Sequence, residues 1–135
     1  MENGTPVAPS AKKIVIVEDD KFLRDVISRK LTKEGFLVHS AENGEDGVKF
    51  IFEDNPDIIL LDIILPGIDG FEVLERVKKD EKTKNIPVLV LSNLSQKSDV
   101  DRARALGAED FMVKSNFTPG EISARLKEIL AKKYL

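Results

Sequence analysis

Four points along the chain place groups capable of chemistry directly after short apolar runs. Glu18-Asp19-Asp20 follows Ile14–Val17, and Asp62 follows Ile58-Ile59-Leu60-Leu61. Ser92 follows Val88-Leu89-Val90-Leu91, and Lys114 follows Phe111-Met112-Val113. Carboxylates drawn together from separate segments repel one another and call for a cation. Oxygen donors without His or Cys suit Mg2+, with Mn2+ as its substitute. Lys114 adds an ammonium and Ser92 a hydroxyl. A metal, an ammonium and a hydroxyl around one carboxylate can stabilise a phosphoryl group on it, because phosphoryl transfer needs mainly positioning and charge neutralisation. Asp62 is the natural acceptor, with apolar neighbours and no further acid before Asp69.

The apolar runs have the continuous Ile/Val/Leu character of strands buried on both faces. Weaker runs at Leu37–Ala41 and Phe111–Val113 complete a set of five. Between them lie helix-period segments. Leu23, Val26, Ile27 and Leu31 share one face of the first, and Ile122, Leu126, Ile129 and Leu130 one face of the last. Segments at Gly44–Glu53, Gly70–Asp80 and Lys97–Ala105 have weaker periodicity. Thr118-Pro119-Gly120-Glu121 opens the last helix with a Thr cap, Pro at the first helical position and Glu three residues after the cap. Five strands alternating with five helices predict an α/β domain, a doubly wound parallel sheet covered on both faces. Ligands of such sheets sit beyond the carboxyl ends of the strands, where the polar residues fall.

The 135 residues suit one domain. Lys plus Arg number 21 and Asp plus Glu 24, so the formal charge is −3. This acidic balance argues against nucleic acid as a direct partner. Absence of Cys excludes a disulfide framework and thiolate metal sites, and the lone His39 excludes a multi-histidine metal centre. No apolar run approaches a membrane span and no signal pattern opens the chain. A cytoplasmic location is expected. Residues 1–12, rich in Gly, Pro and Ser and lacking periodicity, read as a flexible tail, and 13–135 as the domain.

The residues Ile14-Val15-Ile16-Val17-Glu18-Asp19-Asp20, Leu60 to Gly70 (LLDIILPGIDG), Pro87-Val88-Leu89-Val90-Leu91-Ser92, Gly107-Ala108 and Lys114 carry a resemblance. From about Lys13 to Lys133 the chain is similar to the receiver domains of two-component response regulators, of the chemotaxis-regulator type. The resemblance implies a flavodoxin-like fold with strand order 2-1-3-4-5. It implies that Asp62 accepts the phosphoryl group, that Glu18 and Asp19 hold Mg2+ directly or through water, and that the Ile64 backbone carbonyl adds a third protein oxygen. Asp20, the next position, is a further metal candidate. Ser92 matches the switch hydroxyl, Lys114 the lysine that contacts the phosphoryl group, and Phe111 the aromatic switch position. The implied partners are a sensor histidine kinase or histidine phosphotransfer protein and a downstream protein target, and a phosphorylation-dependent dimer is compatible with such a switch. With no output domain after Leu135, the chain is expected to be a stand-alone receiver or one excised from a longer protein.

The plainer readings stand beside these. Asp20 caps the first helix equally well, Phe111 serves the core as readily as a switch, and His39 reads as a surface residue. Phe50 and Phe52, two apart on one helix, cannot both face the core. Three departures from the receiver pattern stand out. Ser115 follows Lys114 where receivers usually carry Pro, and Ser115-Asn116-Phe117 is one residue longer; a trans Lys114–Ser115 bond is expected, since cis costs roughly 2.5–4 kcal/mol before a non-proline. Asn93 replaces a usual Ala. Ile64 and Leu94 are apolar where receivers of fast turnover often carry polar groups, which implies slow hydrolysis of the phosphorylated form. The expected function is a signalling switch rather than an enzyme. The alternatives are a pseudo-receiver that is never phosphorylated and a Mg2+-dependent aspartyl phosphohydrolase. The latter is disfavoured because position 64, where its general acid would stand, is Ile.

Overall fold

The computed structural model describes residues 11–133. The tail expected over 1–12 therefore lies, but for its last two residues, outside them. The elements run β1 (Lys13–Val17), α1 (Lys21–Lys33), β2 (Leu37–Ala41), α2 (Gly44–Asp54), β3 (Ile58–Leu61), α3 (Gly70–Lys79), β4 (Val88–Ser92), α4 (Lys97–Ala105), β5 (Asp110–Val113) and α5 (Pro119–Lys133). All strand pairs are parallel, and the sheet order is β2-β1-β3-β4-β5, as the resemblance implies.

Strand alternation sorts the apolar residues onto the two faces. Val15, Val17, Ile59, Leu61, Val88 and Val90 pack with Ile51, Phe71, Leu74, Val77 and Ala103 from α2, α3 and α4. Ile14, Ile16, Ile58, Leu60, Leu89 and Leu91 pack with Ile27 and Leu31 of α1 and Ile122, Leu126 and Ile129 of α5. β3 and β4 are buried throughout, which is why they read as unbroken apolar runs.

Helix starts follow their sequence signals. Asp20, Asn43 and Asp69 accept the backbone N–H of Leu23 (3.2 Å), Asp46 (2.8 Å) and Glu72 (2.9 Å). The predicted capping box opens α5. The Thr118 hydroxyl accepts the Glu121 N–H at 3.1 Å, and the Glu121 carboxylate accepts the Thr118 N–H at 2.8 Å. By contrast, α4 lacks a side-chain cap and buries only Ala103. An element with so few buried contacts belongs to the low-stability end of a domain.

Register aligns the reactive positions. Val17 pairs with Leu61, so Glu18 and Asp62 leave adjacent strands together, and Ser92 pairs with Val113, so Lys114 follows immediately beside it. The Lys114–Ser115 peptide is trans, as expected; no cis bond occurs among the described residues. The extra residue after Lys114 is taken up in a short 3-10 turn over Lys114–Asn116.

Candidate functional site

Glu18, Asp19 and Asp62 converge at the carboxyl edge, each offering a carboxylate oxygen within 4.8 Å of the others. Glu18 and Asp62 are almost fully buried, while Asp19 faces solvent. The Lys114 ammonium lies between the buried pair, 2.7 Å from Asp62 Oδ2 and 2.8 Å from Glu18 Oε1. The second oxygen of each is held by main chain. Glu18 Oε2 accepts the Asp20 N–H at 3.0 Å and Asp62 Oδ1 the Ile64 N–H at 3.2 Å. Backbone donors of this kind fix a carboxylate without spending another side chain.

The electrostatics follow from burial. Desolvation is the main cause that lifts the Glu18 pKa from its ordinary 4.5 to about 7. The Lys114 and Asp20 hydrogen bonds pull it down, and the neighbouring Asp62 charge pushes it up. Burial by itself lowers the Lys114 pKa, but its bonds to Asp62 and Glu18 more than reverse this, so the amine is held as ammonium. Hard oxygen donors at this spacing, with no imidazole or sulfur among them, fit a divalent cation such as Mg2+.

The start of α3 approaches the backbone of Asp62 and Ile63 closely. The Gly70 N–H donates to the Ile63 carbonyl at 2.8 Å, and a Cβ on Gly70 would stand 2.5 Å from Ile63 Cα and collide with the Asp62 carbonyl oxygen. Only glycine admits the helix start so near the carboxylate's backbone.

Not every predicted residue joins the cluster. Asp20 turns its side chain to cap α1. Ser92 is fully buried one strand away, its hydroxyl oxygen accepting the Leu94 N–H at 3.4 Å. Phe111 and Leu94 are partly buried and pack on the apolar cluster under α3 and α4. Ile64 stands 56% exposed at the rim, so of the two aliphatic residues it alone is largely open to solvent.

Two features escaped the sequence reading. Arg24 of α1 is buried, and its Nη1 donates to the backbone carbonyls of Glu18 (2.9 Å) and Asp19 (3.4 Å). Its signal was an arginine in the buried stripe of α1, three and seven residues before Ile27 and Leu31. The second is the Asn93 side chain, which accepts the Ser115 N–H at 3.2 Å.

The chain matches the family model described as response regulator receiver domain over residues 14–127. It belongs to that family. A putative response regulator from Chloroflexus aurantiacus superposes with TM-score 0.81 at 33% identity, covering 90% of this chain and 99% of the other. The CheY-like receiver domain protein of Methanospirillum hungatei reaches TM-score 0.85 at 26% identity, covering 93% and 98%. The BeF3-activated N-terminal receiver domain of RstA from Klebsiella pneumoniae gives 0.78 at 30%, covering 87% and 97%. This receiver domain is thus a module of two-component signalling, and domains of its kind are in general signalling modules rather than enzymes. None of the helices among the described residues is long and apolar enough to cross a membrane.

Proposed function

We propose that residues 13–135 form a phosphorylatable receiver that takes a phosphoryl group onto Asp62 with Mg2+, or Mn2+ in its place. The carrying observation is the Lys114 ammonium between Asp62 and Glu18 at 2.7 and 2.8 Å, inside a three-carboxylate cluster. Glu18, Asp19 and Asp62 would hold the metal, together with the backbone carbonyl of Ile64. A bound divalent cation neutralises the carboxylates and the oxygens of an incoming phosphoryl group.

The donor is the phosphohistidine of a sensor kinase or phosphotransfer protein. An Asp62 carboxylate oxygen attacks phosphorus; the O–P bond forms as the P–N bond breaks, and the released imidazole nitrogen takes a proton from solvent. Lys114 needs only to shift from the carboxylate to a phosphoryl oxygen, which keeps a positive charge at the site throughout. The Ser92 hydroxyl oxygen accepts the Leu94 N–H and keeps its own O–H free to donate to the same group. A Ser92 side chain that turns toward the phosphoryl group would draw the Leu94 N–H with it and pull on the segment before α4, the helix least anchored by burial, and Phe111 packs on the same side of the sheet. The output is a changed protein-binding face, acting from the cytoplasm on a downstream target or through a phosphorylation-dependent dimer.

Intact mass after incubation with acetyl phosphate and Mg2+ tests the reading. A labile phosphoryl adduct is expected in the wild type. It should be absent in Asp62→Asn and lost or much reduced in Asp19→Asn, with the fold of both retained. A wild type that never gains the adduct would favour the pseudo-receiver.

A further inference from the structure

Arg24 occupies a position where the helix pattern calls for an apolar residue. It shares the buried stripe of α1 with Ile27 and Leu31 and is 7% exposed. Burying a guanidinium is costly unless its donors are used. Here they are spent mainly on main chain. Nη1 reaches the carbonyls of Glu18 at 2.9 Å and Asp19 at 3.4 Å, and Nη2 stands 3.6 Å from the Glu42 carboxylate. The carboxylate of Glu18 answers to other groups: burial, Lys114, the Asp20 N–H and Asp62. Its contacts at this segment fall on the carbonyls, so Arg24 holds the backbone from which the acidic side chains project.

The segment it holds is only three residues long, between the end of β1 at Val17 and the start of α1 at Lys21. The Glu18 N–H is anchored to the Ala41 carbonyl at 3.0 Å, and the Asp20 side chain is committed to the cap. Of the segment's three carbonyls, that of Asp20 accepts the Arg24 N–H at 2.9 Å, and the Arg24 side chain in the first turn of α1 reaches back to grip the other two, those of Glu18 and Asp19. We infer that Arg24 is a positioning residue for the divalent-cation site, clamping the β1–α1 segment so that Glu18 and Asp19 meet Asp62 in a preset arrangement.

The inference rests on the receiver reading. It opposes the Coulomb expectation, under which a nearby guanidinium repels a cation and its removal tightens metal binding. Groups that orient metal ligands from behind typically cost 10–100-fold in affinity when removed. The experiment is Mg2+ titration of the full chain by calorimetry, with thermal unfolding in EDTA measured alongside. Arg24→Met is expected to raise the Mg2+ Kd about tenfold, and Arg24→Lys, which keeps a donor but loses the fork, to fall between it and wild type. A merely structural arginine would lower the EDTA melting temperature and leave the Kd alone. An Arg24→Met Kd within twofold of wild type, or tighter, overturns the clamp. If Arg24→Met does not fold, Arg24→Lys decides, and a Kd within twofold of wild type is then fatal. Asp19→Asn separates the two readings. If it weakens Mg2+ binding while Arg24→Met does not, only the clamp fails. A wild type without saturable Mg2+ binding defeats the receiver reading and the clamp together.

Discussion

The side-chain oxygen of Asn93 accepts the backbone N–H of Ser115 at 3.2 Å, joining the residue after the buried hydroxyl to the residue after the lysine. Two departures from the receiver pattern thus meet in one bond: a proline at 115 would have no N–H to give, and an alanine at 93 no oxygen to receive it. Asn93→Ala should raise amide exchange at Ser115 about fivefold, the equivalent of a hydrogen bond of about 1 kcal/mol. Hydrogen exchange followed by NMR reads this directly, and unchanged protection would show that the bond is not populated in solution.

Glu18 gives the domain a pH dependence of defined sign. Its folded pKa, about 7, lies above the ordinary 4.5, so the folded state binds the proton more tightly. Without metal, the stabilisation is complete below about pH 4.5 and is lost as pH rises through about 7, on the order of 1–3 kcal/mol. Mg2+ needs the ionised carboxylate, so its affinity should climb over the same window and its binding should release protons. Unfolding in EDTA at about pH 5 and about pH 8, for wild type and Glu18→Gln, checks the first part. Parallel behaviour of the two proteins would refute it.

Gly70→Ala should destabilise the domain despite alanine's better helix propensity, worth about 1 kcal/mol. The added Cβ would stand 2.5 Å from Ile63 Cα. The obstruction is backbone, which cannot rotate aside, and overpacking of this kind costs about 1–3 kcal/mol. Urea unfolding should show the loss, and phosphoryl uptake should slow because Asp62 is displaced with its chain. An unchanged midpoint would mean α3 shifts freely.

Lifetime of the phosphorylated form should depend on Ile64 more than on Leu94. Water must approach phosphorus opposite the Asp62 oxygen, and Ile64, 56% exposed at the rim, cannot hydrogen-bond it. Ile64→Asn should accelerate decay, with about 10²–10⁴-fold as the ceiling for a newly placed orienting group. Leu94→Glu should give a smaller gain and lose stability, because Leu94 packs on the apolar cluster. Decay of the adduct by mass spectrometry ranks the three proteins; wild type decaying fastest is the opposite of what this geometry predicts.

The sequence spoke most clearly where the physics is local. Ile58–Leu61 and Val88–Leu91 read as buried strands because both faces need apolar side chains, and Thr118 with Glu121 forms the box its spacing predicts. What stayed hidden leaves no period in the sequence and depends on the partner that the folded backbone brings to each side chain. His39, read as a surface residue, is exposed as expected, and it also stacks on Phe50 at 3.7 Å and bonds Asp54 at 2.7 Å, both on α2. Phe50 and Phe52 are both half-buried, so neither is the plain core residue of the pair. Asp20 offered two roles of similar chemistry, and only the backbone geometry that turns it toward Leu23 N–H separates them. Arg24 was passed over because stripe-reading counts apolar residues and treats a charge among them as noise. The turn at Lys114–Asn116 is too short to leave any periodicity.

The sheet splits the interior into two compartments whose buried side chains do not mix, one under α2, α3 and α4 and one under α1 and α5. Successive residues of a strand serve opposite compartments, so a volume change on one side reaches the other only through strand backbone, which is stiff. Arg24 and the acidic segment border the α1 side, while Leu94 and Phe111 belong with α4. Each half can therefore be recut without refitting the other. Side chains packed under α4 can be exchanged while the seat of α1 against the sheet, and with it the Arg24 contacts to the acidic segment, stays as it is.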